Sequence, residues 1–239
     1  MKTRIWAIVE KEWLEARRNK MILFTLSLLP LLILAISLGT LYAVNSDLGG
    51  KMTGGQNIPA VYAGMDPKDA ISLMMAGEYL FLFLVIPASI PVTIASYSIV
   101  GEKENKSLEP LLATPIRTWE LLVAKSVAAV VPAILVSWLV FGLFLVGVRF
   151  LARPIVLGAA LNPIWLVANL AIGPLLALLS VLAGVIASSR LNDPRAVQQL
   201  VAMFVVPIVL IGAAQMTGVF LVSLPMILLG ALLVAALDG

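Results

Sequence analysis

The chain has 239 residues, 61% of them hydrophobic and 12% charged, with a net charge of +3. Soluble domains carry roughly 45–50% apolar and about 25% charged residues, so this is the balance of a membrane protein, not of a soluble domain. The weak charge, with no basic patch interleaved with aromatics, excludes a nucleic-acid partner; the lack of cysteine and histidine excludes a disulfide framework, thiolate or imidazole metal sites and a histidine-based triad.

Residues 1–20 predict an amphipathic helix at the membrane interface. At 100° per residue Ile5, Trp6, Val9, Trp13 and Ala16 share one face, with Arg4, Lys11, Glu15 and Arg18 opposite. Trp6 and Trp13 suit the headgroup region, and Arg17 and Arg18 the water beside it. Such a helix is either a plain anchor or an anchor that also touches a cytoplasmic subunit. The first apolar run follows it and is long enough to span, so it reads as a retained helix and not as a secretory signal.

A spanning helix needs roughly 20 apolar residues. Residues 21–44 are the first span, 79–100 the second and 126–148 the third. Asn162-Pro163 breaks the next run and leaves 164–187 as the fourth. Residues 196–237 hold no charge until Asp238 and would measure about 63 Å as one helix, twice the hydrocarbon core. They are expected to fold back near Met216 to Gly218 into spans 196–215 and 219–237. The fold class is thus all-α and integral to the membrane, as one transmembrane domain over 1–239 with six spans.

The loops set the orientation. Twelve of the sixteen Lys and Arg residues lie in the N-terminal segment, in 101–125 and in 188–195. That excess puts these segments and both termini in the cytoplasm of a multi-pass cell-membrane protein. The 45–70 loop faces outward. It ends in Asp66-Pro67, a cap and a first helical position, so the second helix should begin there.

The segment SIVGEKENKSLEPLLATPIRTWELLVAKS, residues 98–126, is an island of charge between two apolar runs. Ser107 can cap a short helix whose first turn holds Leu108, Glu109 and Pro110, and Pro115 stops that helix after Thr114. Thr118 would cap the next helix, with Glu120 in its first turn. Ordering such a loop and exposing its leucines costs free energy unless something buries them, either a cytoplasmic partner or the lipid surface.

Two absences bear on energy supply. There is no Gly-x-x-x-x-Gly-Lys-[Ser/Thr] phosphate loop, so the chain is not expected to hydrolyse ATP or to be an enzyme. The six predicted span cores hold no Asp, Glu, Lys or Arg, which argues against an ion-coupled carrier. Energy would arrive mechanically through the cytoplasmic face. The prolines in the spans suit bending helices or ordinary bundle irregularity, and Ala183, Gly184, Ala187 and Ser188 allow close packing, within the chain or at a dimer seam.

The run GEKENKSLEPLLATPIRTWELLVAK resembles the signature of type-2 ABC exporter permeases, and the likeness extends to the charged N-terminal helix and the six-span count. The resemblance implies a coupling helix at Ser107, Leu108, Glu109, Leu111, Leu112, Ala113, Thr114 and Pro115, docked in a separate ATPase, with Glu102 and Glu104 at its approach. It also implies that helix 1–20 lies beside that ATPase. The partners it implies are two ATPase copies, which carry the ATP and Mg, a second or paralogous permease, and membrane lipid; this chain itself would hold no cofactor. Two features depart from the family pattern. Lys106 stands where many relatives have glycine, and the last span is expected to be short. The alternative class is a non-transporting membrane scaffold or assembly protein whose island binds some other cytoplasmic partner.

Overall fold

In a computed structural model, residues 2–46, 58–59, 62–104, 106 and 117–203 are described. They are mostly helical, with no strand among them. The helices are α1 (Lys2–Arg18), α2 (Lys20–Asn45), α3 (Pro67–Leu82), α4 (Val85–Glu104), α5 (Thr118–Leu151), α6 (Pro154–Ala160), α7 (Pro163–Val167) and α8 (Gly173–Arg190). Four stretches are long and apolar enough to cross a membrane: 20–45, 67–103, 118–151 and 163–190. These contain the first four predicted spans. Helical backbone resumes at 194–203; the remainder of the predicted fifth span and all of the sixth lie outside the described residues.

Local chemistry starts and stops these helices. Asn19 caps α2, its Oδ1 accepting from the Met21 and Ile22 amides. Asp66 caps α3 with Pro67 at its first position, as the sequence predicts. Asn162 and Pro163 repeat the device at α7. The third long helix differs slightly from expectation. Its cap is Arg117, not Thr118, and the Glu120 carboxylate accepts the Arg117 amide at 3.0 Å, so the acid closes back on the helix start.

Prolines shape the second and fourth crossings. Pro87 has no N–H to offer the Phe83 carbonyl, and its ring crowds that oxygen. The chain accordingly turns at Phe83-Leu84 between α3 and α4, and the Ile86 amide takes the Phe83 carbonyl in a tighter turn at 3.2 Å. Pro174 does the same to Leu170. There the backbone widens into a π segment, Ala168–Ile172, closed by the Gly173 amide on the Ala168 carbonyl. Asn169, buried in this segment, donates to the Leu80 carbonyl at 3.4 Å and the Trp165 carbonyl at 3.1 Å. The π segment therefore touches the last turn of α3, just before the chain turns at Phe83-Leu84.

The core lies where α2, α3, α4, α5 and α8 meet, around Phe83, Phe141 and Phe144. Phe83 stacks edge-on to Phe144 with centroids 4.9 Å apart. α4 makes its most extensive contact with α8. A Cβ on Gly184 would sit 3.0 Å from Val92 Cγ2, and Ser180 donates to the Ala88 carbonyl. The small residues of α8 thus serve packing within the chain. Glu78, placed by sequence just beyond the second span, is half-buried in the 67–103 stretch. Its neighbour Tyr79 shares a hydroxyl hydrogen bond of 2.9 Å with Thr40 of α2.

Alternating helix directions gather the described basic segments at one end. That end holds α1, the α4 terminus, the α5 start and the α8 terminus. The other end is tied by Arg153 to Asp66 at 3.8 Å and to Asp69, and by Lys68 Nζ to the Ser46 carbonyl at 3.4 Å.

Candidate coupling surface

The site is built at the basic end, around α1. Its sequence periodicity points Ile5, Trp6, Val9, Trp13 and Ala16 one way. The helix is instead rotated so that Ile8, Val9 and Glu12 are the buried positions, with Ile5, Trp13 and Ala16 partly buried beside them. Ile8 and Val9 pack on Leu121, Ala124 and Ala128 of α5, while Trp6 is 57% exposed. The helix is therefore docked on protein along much of its apolar side, not simply laid on lipid. The reason is Glu12, which has a buried cation to meet.

That cation is Lys125, one turn past the buried Leu121. Its Nζ lies 2.8 Å from Glu12 Oε1 and 2.9 Å from Glu102 Oε2, and donates to Ser98 Oγ at 2.6 Å. The Ser98 hydroxyl is also 2.6 Å from Glu12 Oε2. Lys11 completes the set from the wet side, 2.8 Å from Glu102 Oε1 and 3.3 Å from Glu15. The side chains of Lys125, Glu12 and Glu102 are 2%, 3% and 8% exposed, whereas Lys11 is 41% exposed. Lys125 and Lys11 balance the two buried carboxylates, Glu12 and Glu102, the condition under which buried charges persist, with Glu15 exposed at the wet rim. Burial pulls the Lys11 pKa down, but the Glu102 hydrogen bond and the charges of Glu102, Glu12 and Glu15 outweigh it and hold it above the ordinary lysine value. A cavity of about 430 Å³ borders the cluster beneath α1, walled by Tyr97 and Ile94.

Trp13 makes the second tie. Pro132 of α5 leaves the Ala128 carbonyl without its helical donor. The Trp13 indole N–H takes that carbonyl at 3.0 Å. The residue is half-buried and stacks edge-on with Trp6 at 5.7 Å. A third tie holds α8. The Lys103 ammonium caps its C-terminus, donating to the Ser188 carbonyl and to the Ser189 carbonyl at 3.0 Å.

Of the residues singled out from the sequence, Glu102 is inside the ion cluster, and Trp6, Trp13, Arg17 and Arg18 lie on α1, the two arginines exposed. Ser107, Leu108, Glu109, Leu111, Leu112, Ala113, Thr114 and Pro115 lie outside the described residues, as does the Glu104 side chain. Lys106 is described and has φ 52°, the left-handed conformation that glycine adopts freely. The lysine thus keeps the backbone that glycine would supply at that position. Sequence reasoning missed Glu12, Ser98, Lys103 and Lys125. The one available signal was Glu12 itself, an acid three residues after Val9 on the apolar side.

Charges and a freed carbonyl tie α1 to both helices that flank 105–116, and one flank to the end of α8. The profile described as ABC-2 family transporter protein matches residues 6–228. No curated protein matches the chain.

Proposed function

The chain belongs to the ABC-2 family of transporter proteins and is a multi-pass permease subunit of an ABC transporter; from that premise we propose that it works as a dimer in an exporter, driven by two copies of a separate ATPase that grip residues 107–115 in the cytoplasm. ATP and Mg are bound and ATP is hydrolysed in that partner, this chain having no phosphate loop.

The single observation that carries the reading is the buried cluster of Glu12, Glu102 and Lys125. A loop pushed by a motor transmits force only if its two ends move as one body. Glu102 lies in the last turn of one flank and Lys125 about two turns into the other, and their contact at 2.9 Å holds the flanks together. Glu12 adds α1 to the same body, and Lys103 adds the end of α8. A displacement of the loop would therefore reach α4, α5 and α8 together. Above this rigid base, the turn at Phe83-Leu84 and the π segment at Ala168–Ile172 are places where the two crossings can bend. The gathering of the basic segments at this end supports the cytoplasmic assignment.

The test is copurification. Deleting residues 107–115, or substituting Leu111→Asp, leaves the chain inserted and releases the ATPase. An ATPase that copurifies in full with the deletion variant overturns the proposal, as does a captured partner that lacks a phosphate loop.

A further inference from the structure

A second cavity, about 350 Å³, opens between α1, α2 and α5 on the outside of the bundle. Leu23 and Leu26 of α2 form one wall, Val131 and Leu135 of α5 the other, and Trp13 closes the basic end. Among the described residues Arg17 is the only charged one in the lining. It is exposed, and it makes no ion pair or side-chain hydrogen bond among the described residues. Arg18 and Lys20 stand exposed beside it. From Ala128 to Leu135 the groove descends seven residues of α5, about 10 Å, so its apolar part lies within the hydrocarbon and Arg17 at headgroup height.

We propose that this groove holds one acyl chain of an anionic phospholipid of the inner leaflet, with its phosphate on Arg17. Lining chemistry and charge select this occupant. The walls are apolar and the groove ends at the exposed guanidinium of Arg17, the order of an acyl chain below its phosphate. The guanidinium matches a phosphate in a two-pronged contact, and the cytoplasmic leaflet is the anionic one. The groove also borders the Trp13–Ala128 tie, so a lipid in it would brace α1 against α5 from the bilayer side. The assignment rests on the N-terminal end being cytoplasmic. Lipid retention in detergent does not depend on orientation, so the two readings can fail separately.

The experiment is native mass spectrometry of the full-length chain with its copurified partner, exchanged into detergent with phosphatidylglycerol or phosphatidylcholine. Wild type is expected to retain phosphatidylglycerol about five-fold better, the ratio that one interfacial cation supplies. Arg17→Gln brings that ratio to about one, and Leu135→Trp, which fills the groove, lowers retention of both lipids. Equal retention by wild type, or an unchanged ratio in Arg17→Gln, overturns the headgroup contact. Undiminished retention in Leu135→Trp overturns the groove, and so does a Leu135→Cys variant, labelled on its one thiol with a photoreactive benzophenone, that cross-links to residues 204–239 or to a second copy in place of lipid.

Discussion

Replacing Trp13 by phenylalanine removes one N–H and some ring area while leaving an aromatic side chain. The lost donor matters because Pro132 has already deprived the Ala128 carbonyl of its helical partner, and the indole meets it at 3.0 Å. Ala128 is 1% exposed, so water is a poor substitute. An orphaned buried carbonyl costs about 1–3 kcal/mol in soluble proteins, and interhelical hydrogen bonds measured in membranes average about 0.6 and reach about 1.7 kcal/mol. The expected loss from the hydrogen bond is therefore about 1 kcal/mol, or about 2–4 °C for a chain of this size. The same substitution made in a Pro132→Ala background should lose far less, because an alanine in place of the proline restores an N–H to the Ala128 carbonyl. Thermal unfolding of the four proteins in one detergent gives the coupling directly, and the difference in ring size cancels in the cycle. If Trp13→Phe costs the same with and without the proline, the carbonyl is not the reason that the tryptophan sits there.

Lys125→Met leaves Glu12 and Glu102 buried with only Lys11 to balance them, and should cost about 3–5 kcal/mol; Lys11→Met, at a half-wet position, should cost no more than about 1 kcal/mol. Comparable losses in the two variants, read by unfolding in detergent, would remove the distinction drawn between them. Gly184→Leu should drive α8 off Val92 and cost about 1–3 kcal/mol, whereas Gly184→Ala, whose Cβ meets Val92 Cγ2 at 3.0 Å, should cost clearly less. A leucine variant as stable as the parent in the same assay would argue that the close approach is unimportant. Lys106→Gly relieves a positive φ and should stabilise the chain by about 1 kcal/mol; a measured destabilisation would show that the lysine side chain holds this turn.

Much of the architecture was legible one segment at a time. Charge-free runs located the first four crossings because hydrocarbon tolerates few charges over the length of a helix. Asp66-Pro67 marked a helix start because capping is settled within a few residues, and Asn162-Pro163 marked a break, where the structure puts the cap of α7. The prolines announced that carbonyls would be freed. Which group would take them was not announced: the partner of Ala128 is Trp13, 115 residues away.

The face of α1 shows the same boundary. Hydropathy grouped Trp6 with Val9 on one apolar face at the headgroups and was silent on Glu12, because a hydrophobic stripe counts a carboxylate as a cost. Lys125 turns that cost into an attraction, and the helix rotates to meet it. The small residues of α8 signalled close packing without naming a partner until Val92 supplied one. Helix starts and the first four crossings depend mainly on neighbours along the chain, so the sequence alone determined most of them, to within a residue at the cap of α5. The pairing of charges, freed carbonyls and small-residue faces depends on which surfaces meet across the bundle, and only the tertiary structure decided that.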